Sequence, residues 1–309
     1  MENKKIVTLT INPSLDKSTH FNGLVPEQKM RCENPRYDAG GGGINVSKAI
    51  AKLGGTSTCV YTSGGPIGEM VTEILQQGGI ESVAIKIKNW TRENFIAFDN
   101  VTKAQYQFGF PGHAFSEEEK EAILQSIKEL PSDYLVISGS MNEGLAADFY
   151  QKIAEVAKTS GTKVIVDSSG EALQKVLEAG IYLAKPNIGE LAKLIGVERL
   201  ELSEVEKAAK TLIEKGYAEI IVVSLGASGA ILVTKDTTEF VAASQVEKKS
   251  TVGAGDSMVG GMVWALSQHK TLKEVIQIGV CCGTAATMNE GTQLFKVEDV
   301  ERLLGEMQK

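Results

Sequence analysis

Residues 250–266 read STVGAGDSMVGGMVWAL, with one carboxylate, Asp256, between a glycine-rich turn and an apolar run typical of a helix. A helix start presents unpaired backbone N–H groups and attracts anions. Gly253 and Gly255 have no Cβ, so the amides on either side of Ala254 can turn into one cavity. Such amides suit the negative charge of a phosphoryl group during its transfer. Taken alone, the pattern predicts Asp256 either as a helix cap or as a base beside a bound anion.

The composition is that of an ordinary globular protein. The chain has 309 residues, of which 42% are hydrophobic and 23% charged, enough for one large α/β domain. A net charge of −7 argues against general nucleic-acid binding. No apolar run reaches the roughly 20 residues of a membrane span, and we expect no membrane partner. The four cysteines form no C-x-x-C pair, and the amino terminus lacks a signal peptide, so we expect a cytoplasmic protein.

Short β-rich runs alternate with amphipathic segments through most of the chain. This alternation predicts βαβ units and therefore an α/β fold, in which a mainly parallel sheet is covered by helices on both faces. The predicted strands are 6–11, 57–63, 134–138, 163–167, 182–185 and 220–224. The predicted helices are 44–53, 67–77, 117–127, 146–158 and 205–215, with three more in 254–308.

Two segments, 18–36 and 93–110, depart from this alternation. Their polar and apolar residues alternate over short distances, which fits a small antiparallel flap beside the main sheet. Without a linker or repeat in the sequence, we expect one domain over residues 1–309 with this flap attached. A lone flap would expose unpaired strand edges and an apolar face. We therefore expect two copies of the chain to pair through it.

The other glycine-rich loops exclude two nucleotide-binding motifs. A Walker A sequence is absent, and G-x-G-x-x-G fails because Met258 stands where the last glycine should be, so a nicotinamide-dependent dehydrogenase loses its best support. In KPNIGEL (185–191), Asn187 and Glu190 are three residues apart and suit water-mediated Mg²⁺ binding, although surface solvation explains them equally well. VVSLGASGA (222–230) fits either a nucleotide-binding wall or a hairpin.

Taken together, these motifs resemble the ribokinase-like (pfkB) carbohydrate kinases along the whole chain. The two family signatures are similar to AGGGGINVSKAIAKLGG (39–55) and to residues 249–262, which include STVGAGDSMVGG. The segments TLTINPSLD (8–16), SGS (138–140) and VDSSGEAL (166–173) resemble the branch that phosphorylates phosphosugars. The resemblance implies a three-layer α/β/α kinase with a small β-lid that forms a homodimer interface, and Mg²⁺ with ATP as the phosphoryl donor.

The resemblance also implies roles for individual residues. Asp256 matches the catalytic base, and the amides of Gly253, Ala254 and Gly255 match the anion hole. The sugar hydroxyls are expected at Asp16, Gly40, Gly41 and Asn45, and the substrate phosphate at Lys29, Arg31, Arg92 and Ser140. The nucleotide and its magnesium are expected at Lys185, Asn187, Glu190, Ser224, Gly226 and Gly229. A monovalent-cation site, possible for K⁺, matches Ser250, Val252, Asn289 and Gly291.

Four positions depart from the family pattern. Gly42 replaces a lysine common in 1-phosphofructokinases, and Gln107 replaces an arginine near the sugar; Gly189 and Gln293 replace basic residues near the nucleotide and the cation loop. We expect fructose 6-phosphate to be phosphorylated at its 1-hydroxyl, with tagatose 6-phosphate and fructose 1-phosphate as alternatives. An inactive sugar-phosphate sensor is disfavoured because Asp256 and both neighbouring glycines are present.

Overall fold

The computed structural model describes residues 4–307, which form two sheets and ten α-helices. The strands of the large sheet are β1 (Ile6–Thr10), β4 (Thr58–Ser63), β5 (Ser82–Lys86), β8 (Tyr134–Ser138), β9 (Lys163–Asp167), β10 (Ile181–Ala184), β11 (Ala218–Ser224), β12 (Ala230–Val233) and β13 (Thr238–Val241). Their spatial order is β13-β12-β11-β10-β9-β8-β1-β4-β5. All neighbours pair in parallel except β11–β12 and β12–β13, which are antiparallel.

Helices cover both faces of this sheet. They are α1 (Gly42–Lys52), α2 (Gly65–Gln77), α3 (Glu117–Glu129), α4 (Phe149–Lys158), α5 (Gly170–Leu177), α6 (Ile188–Leu194), α7 (Val205–Glu214), α8 (Ala254–Ser267), α9 (Leu272–Thr287) and α10 (Val297–Met307). Along β8, Leu135 and Ile137 join the core that includes α3–α7, whereas Tyr134 and Val136 join the core that includes α1 and α8–α10. Because both faces of the strands are buried, the fold is the predicted three-layer α/β/α arrangement.

Most predicted elements of the large sheet and its helices lie within two residues of their observed ends. The helix predicted over 146–158 begins only at Phe149, because Asp148 is its N-cap. The prediction lacked β5, the β12–β13 hairpin, α5 and α6, which are all short elements. The three helices predicted in 254–308 are α8, α9 and α10, with residue 308 outside the described residues. Between residues 4 and 307, none of the helices combines the length and apolarity needed to span a bilayer.

The second sheet has four strands, β2 (Ser14–Phe21), β3 (Arg36–Gly40), β6 (Arg92–Asp99) and β7 (Gln105–Gly109), in the order β3-β2-β6-β7. It overlaps segments 18–36 and 93–110 but begins four residues earlier, at Ser14, and residues 22–35 contain no strand. The expectation of an antiparallel flap is wrong at its centre, since β2 and β6 pair in parallel. The chain passes through α1, β4, α2 and β5 between them, a crossover that permits parallel pairing.

Candidate active site

The site lies where parallel strands of the large sheet end. Ser138 ends β8 and Asp167 ends β9, while Lys185 follows the last residue of β10. In an open parallel sheet, the carboxyl ends of neighbouring strands share one edge, where ligands usually bind. The amino-terminal turn of α8 lies at this edge, because Asp256 contacts Ser138.

The glycine turn determines how Asp256 is presented. Gly253 adopts a left-handed conformation, with φ of 72°, and is the N-cap of α8. Asp256 therefore lies in the first turn, and the interpretation of Asp256 as the N-cap is wrong. Its Oδ2 accepts a hydrogen bond from Asn45 Nδ2 at 2.9 Å, and its Oδ1 accepts a longer one from Ser138 Oγ at 3.4 Å. These two donors orient the carboxylate toward the space in front of the helix.

The pKa of Asp256 is raised to about 6, well above the usual range of an aspartate. Burial is the largest cause, because it disfavours the charged form, and the negative charge of Asp167 adds to it. The hydrogen bond from Asn45 and the charge of Lys185 oppose the shift. A carboxylate with this pKa is ionised near neutral pH and is still basic enough to take a proton from a reacting hydroxyl.

Lys185 and Asp167 form an ion pair below this turn, with 3.1 Å between Nζ and Oδ1. Both side chains are largely buried, being 7% and 16% exposed. A Cβ on Gly255 would lie only 3.7 Å from Lys185 Nζ, so the glycine turn packs directly over the pair. Burial alone would lower the pKa of Lys185, but attraction to Asp167, Glu190 and Asp256 outweighs it and raises that pKa.

Ser138 and Asp167 were not among the predicted site residues. Each is a polar residue at the carboxyl end of a buried, apolar strand. Their position at the carboxyl ends of buried strands was the sequence signal that could have identified them, because polar side chains there face the ligand-binding edge of a parallel sheet.

A groove of about 320 Å³ lies beside the glycine turn. It brings three of the predicted nucleotide-binding residues together with two residues of the turn: Ser224, Gly226, Gly229, Ala254 and Gly255. Residues 222–230 lie in the β11–β12 hairpin, as one of the two interpretations predicted, and four of them line this groove: Ser224, Gly226, Ala227 and Gly229. The groove is large enough for a small organic ligand.

Asn187 and Glu190 lie at the start of α6 and form a capping box. Asn187 N donates to the Glu190 carboxylate at 2.8 Å, and Glu190 N donates to Asn187 Oδ1 at 2.9 Å. The pKa of Glu190 is raised, chiefly by burial, while the bond from Asn187 opposes the shift. Glu190 also acts electrostatically on Lys185, which connects this helix start to the Asp256 region.

The second sheet contributes a separate polar cluster around Asp16. Asp16 is 7% exposed and accepts hydrogen bonds from Ser14 Oγ at 2.7 Å and from Asn94 Nδ2 at 2.8 Å. Its pKa is raised by burial, against the opposing effects of these bonds and of the cations Arg92 and Lys48. A Cβ on Gly40 would overlap the Asp16 carboxylate, so only glycine fits there.

Gly41 connects this cluster to Asp256. It is the N-cap of α1 with φ of 122°, and its carbonyl accepts from Asn45 N at 2.9 Å. Because Asn45 also holds the Asp256 carboxylate, the predicted sugar-binding residues of β2, β3 and α1 form one continuous wall ending at the base.

Arg92 lies next to this wall and has spare hydrogen-bonding capacity. Its guanidinium donates to Asn94 Oδ1 at 2.9 Å, and to the carbonyl oxygens of Phe110 at 3.2 Å and Asn12 at 3.3 Å. The side chain of Asn12 in turn donates to Ser140 Oγ at 3.2 Å. The buried Nε of Arg92 has no hydrogen-bond partner among residues 4–307. Arg92 and Ser140 are thus brought together as predicted.

Lys29 and Arg31 are not brought to this cluster. Both are exposed and lie in the loop between β2 and β3. The loop pairs with the end of β2 through an isolated antiparallel bridge between Cys32 and Phe21. Phe21 is five residues beyond Asp16 on β2, which corresponds to about 17 Å at the usual strand rise. Within one copy of the chain, these two cations lie at the far end of the second sheet from Asp16.

The residues of the predicted cation loop do converge. Ser250 Oγ donates to the carbonyl of Gly291 at 3.1 Å and accepts from Val252 N at 3.2 Å. Ser250 and Asn289 are both buried, and Gly291 has a φ of 62°. The two segments therefore meet directly behind Gly253 and present several oxygen atoms, the ligand type that alkali cations require.

The four departures from the family pattern lie around the site. A side chain at Gly42 would meet Ser138, which holds Asp256, so glycine is required there in this structure. Gln107 is exposed on β7, in register with Ile96. Gly189 lies in the first turn of α6, and Gln293 is exposed after the cation loop.

The buried carboxylate of Asp256 thus lies beside a glycine turn, with a groove on one side and a polar wall on the other. This arrangement suits the transfer of a group between two substrates. A sequence profile of the pfkB family carbohydrate kinases matches residues 9–299, and the chain belongs to that family. The predicted family and the predicted kinase activity are thereby confirmed.

Two curated relatives match nearly the whole chain. Over 301 residues it is 40% identical to the ATP-dependent 6-phosphofructokinase isozyme 2 of Escherichia coli (strain K12), covering 97% of each chain. It is 35% identical to the 1-phosphofructokinase of Borreliella burgdorferi, covering 97% of this chain and 96% of that one.

Solved structures of phosphofructokinase-2 from Escherichia coli are also similar. The complex with potassium has a TM-score of 0.95 and 39% identity, and the complex with fructose-6-phosphate has a TM-score of 0.93 and 37% identity. Each comparison covers 99% of this chain and 100% of the other. The similarity extends over both sheets, so the ribokinase-like fold with its mainly parallel sheet is confirmed.

Proposed function

We propose that the protein transfers the terminal phosphoryl group of ATP to the 1-hydroxyl of fructose 6-phosphate, giving fructose 1,6-bisphosphate. The observation that carries the proposal is the geometry of Asp256. Its carboxylate, held by Asn45 and Ser138, lies between the groove beside α8 and the wall that contains Asp16. The relatives named as phosphofructokinases, and the fructose-6-phosphate complex of one of them, support the choice of substrate.

In this mechanism Asp256 accepts the proton of the attacking hydroxyl. Its pKa of about 6 keeps it ionised at neutral pH, so it is ready to act as a base. The amides of Gly253, Ala254 and Gly255, at the start of α8, would stabilise the negative charge that develops on the transferred phosphoryl group. The Lys185–Asp167 pair beneath the turn would fix the position of the turn.

The groove lined by Ser224, Gly226 and Gly229 would bind the nucleotide. Within residues 4–307 no cluster of three His, Cys, Asp or Glu side chains can hold a metal ion. Asn187 and Glu190 fit Mg²⁺ that is bound through water and the nucleotide phosphates, as is usual for this ion. When bound, Mg²⁺ would neutralise part of the negative charge of the phosphates. Ser250, Val252, Asn289 and Gly291 would hold K⁺ behind Gly253, where it would stiffen the anion-binding turn.

The substrate's own phosphate would bind to Arg92 and Ser140, which are connected through Asn12. Asp16 and Gly40 would then contact the sugar hydroxyls, leaving C1 beside Asp256. Gly42 favours fructose 6-phosphate over fructose 1-phosphate, because the lysine common at this position in 1-phosphofructokinases is missing. Gln107 is neutral where an arginine was expected, so tagatose 6-phosphate, which differs only at C4, is the second candidate substrate.

The second sheet would act as a lid that pairs two copies of the chain. One of its faces carries aromatic side chains, including Tyr37 and Phe108, which are 38% and 52% exposed. Lys29 and Arg31 lie too far from Asp16 to serve the site of their own copy. In a symmetric lid-to-lid dimer, these cations would reach the substrate phosphate bound by the partner.

Two measurements test the dimer. Light scattering on the purified protein should give twice the 33.1 kDa chain mass at micromolar concentration. Mixing Lys29→Ala with Asp256→Asn should restore activity if the cations act across the interface, since one site then has both functional groups. A fully active monomer, or no recovery after subunits exchange, contradicts the arrangement.

The substrate is tested with Mg²⁺, ATP and fructose 6-phosphate, tagatose 6-phosphate or fructose 1-phosphate, reading ADP release. ³¹P NMR then identifies the carbon that gains the phosphate. We expect the highest kcat/KM for fructose 6-phosphate and a kcat at least 100-fold lower in Asp256→Asn. If fructose 1-phosphate leads by tenfold, about 1.4 kcal/mol of transition-state preference, the interpretation of Gly42 is wrong.

A further inference from the structure

Two aspartates face each other next to the sugar-binding wall. In the antiparallel pairing of β2 with β3, Asp16 lies directly opposite Asp38. Side chains at opposed positions share one face of a sheet, with Cβ atoms about 5 Å apart. Like charges in this arrangement repel each other, and they weaken the pairing of the two strands. The arrangement therefore needs a counter-charge. Without one, the repulsion would disturb β3, the strand that carries Gly40.

Lys48 on α1 supplies a positive charge at this point. Its ammonium group donates to the backbone oxygen of Ala39, the residue between Asp38 and Gly40. The charges of Asp38 and Asp16 both act on it, together with Cys59 and Arg36. Burial lowers the pKa of Lys48, and these two carboxylates oppose that effect. Lys48 also lies about one helical turn after Asn45, which holds Asp256.

Asp38 has other partners, but they do not reach Asp16. Arg36 Nη2 donates to Asp38 Oδ1 at 2.7 Å, and Thr292 Oγ1 donates to Asp38 Oδ2 at 2.9 Å. Asp16 is instead surrounded by Ser14, Asn94 and Arg92, with Lys48 on the side of α1. Lys48 is thus the cation that both carboxylates share.

We propose that Lys48 is a positioning residue for the sugar substrate: it ties the β3 end that carries Gly40 to α1 and places a positive charge beside the opposed positions of Asp16 and Asp38. This inference rests on the proposed sugar site. Lys48 does not touch the reacting atoms; its charge favours the ionised form of Asp16, in which the carboxylate accepts hydrogen bonds from sugar hydroxyls. It acts on sugar binding rather than on phosphoryl transfer or on the nucleotide.

The chain offers a matched control on the same helix. Lys52 is four residues further along α1, is exposed, and forms no ion pair with residues 4–307. Lys48→Met should raise the KM for fructose 6-phosphate, and its Kd measured by calorimetry without nucleotide, by about tenfold or more. The KM for ATP should change by less than twofold. Lys52→Met should leave all three constants unchanged.

Two further variants separate positioning from simple structural support. Lys48→Arg keeps the charge and should recover most of the sugar affinity. In Lys48→Met/Asp38→Asn the repulsion across the strands is gone, so sugar binding should improve over Lys48→Met alone. A sugar KM within twofold of the wild type in folded Lys48→Met overturns the proposal. An equal rise in the KM for ATP, or no recovery in both rescue variants, overturns it as well.

A readout that does not depend on the substrate distinguishes failure of this proposal from failure of the proposed function. In a ¹³C carboxyl NMR titration, the pKa of Asp16 should rise in Lys48→Met and stay unchanged in Lys52→Met, because the lost cation no longer favours the ionised form. If the wild type does not use fructose 6-phosphate but this shift is seen, the proposed substrate fails and the role of Lys48 stands. An unshifted Asp16 overturns the role of Lys48.

Discussion

Replacing Asp256 with asparagine removes the proposed base while keeping the shape of the side chain. The amide oxygen can still accept the hydrogen bond that Asn45 donates at 2.9 Å, so the start of α8 should keep its geometry. Loss of a general base costs about 10²–10⁴ in rate, or roughly 3–5 kcal/mol at 1.36 kcal/mol per tenfold. We therefore expect kcat to fall by at least 100-fold, with little change in the KM of either substrate.

The pKa of about 6 adds a pH signature to this prediction. The base works only when ionised, so wild-type kcat should be maximal above pH 7 and should decline through pH 6 as Asp256 takes up a proton. One pH unit below the pKa, about a tenth of the protein carries the ionised base, so kcat at pH 5 should be about tenfold below its maximum. The residual activity of Asp256→Asn should lack this decline.

The contribution of Asp256 to folding stability should depend on pH in the opposite direction to kcat. The pKa of Asp256 is raised on folding, so this group favours folding at low pH, and that contribution is lost as pH rises from about 4 to about 6. The asparagine variant carries no charge to bury. It should be at least as stable as the wild type at pH 8, with a smaller advantage at pH 4.

The assay is steady-state ADP release between pH 5 and 8.5, with thermal unfolding measured at pH 4 and pH 8. Asp236→Asn, an exposed aspartate in the turn after β12, is the matched control and should behave as the wild type. A variant at position 256 that keeps a third of wild-type turnover refutes the assignment of the base. An unchanged pH decline in that variant would refute the link between the pKa and catalysis.

Three other substitutions test separate parts of the site. Arg92→Gln should raise the KM for the phosphosugar about tenfold or more, since charge-assisted contacts contribute about 1.5–3 kcal/mol. The KM for ATP should stay unchanged. Equal effects on both substrates would argue against a role of Arg92 at the sugar phosphate. Lys185→Met leaves Asp167 buried without its partner and should lower the free energy of unfolding by about 3 kcal/mol in denaturant titrations, with partial recovery in Lys185→Met/Asp167→Leu. Gly42→Ala puts a Cβ against Ser138 and should lower both kcat and the free energy of unfolding, the latter by about 1–3 kcal/mol. Gly305→Ala in α10 is the control and should be neutral or stabilising, because the added carbon meets nothing within 4 Å.

Much of the large sheet could be predicted because its signals are local. Its strands are runs of Val, Ile and Leu bounded by polar residues or glycine, and the helices between them have apolar residues at helical spacing. The strands β5 and β13 were missed because they lie at the edges of the sheet, are only partly buried and lack a continuous apolar run. The mixed pairing of the second sheet could not be seen either, because β2 and β6 are separated along the chain by β3, α1, β4, α2 and β5.

The glycine turn before Asp256 could also be predicted only in part from the sequence. Glycine at positions 253 and 255, ahead of an apolar run, identifies a helix start that can bind an anion, since this depends only on local backbone freedom. Whether Asp256 caps that helix or faces a substrate depends on contacts made far along the chain. Asn45 is 211 residues away and Ser138 is 118 residues away, and together they hold the carboxylate off its own helix.

The sequence by itself determined the alternation of strands and helices, the glycine turn and the acidic side chain that follows it, because each is set by neighbouring residues. The tertiary structure alone decided which side chains meet at the edge of the sheet. It paired Lys185 with Asp167, joined Lys48 to the Ala39 carbonyl of β3, and left Lys29 and Arg31 at the far end of the second sheet. Charge interactions fall off with distance through space, whereas the sequence records only distance along the chain.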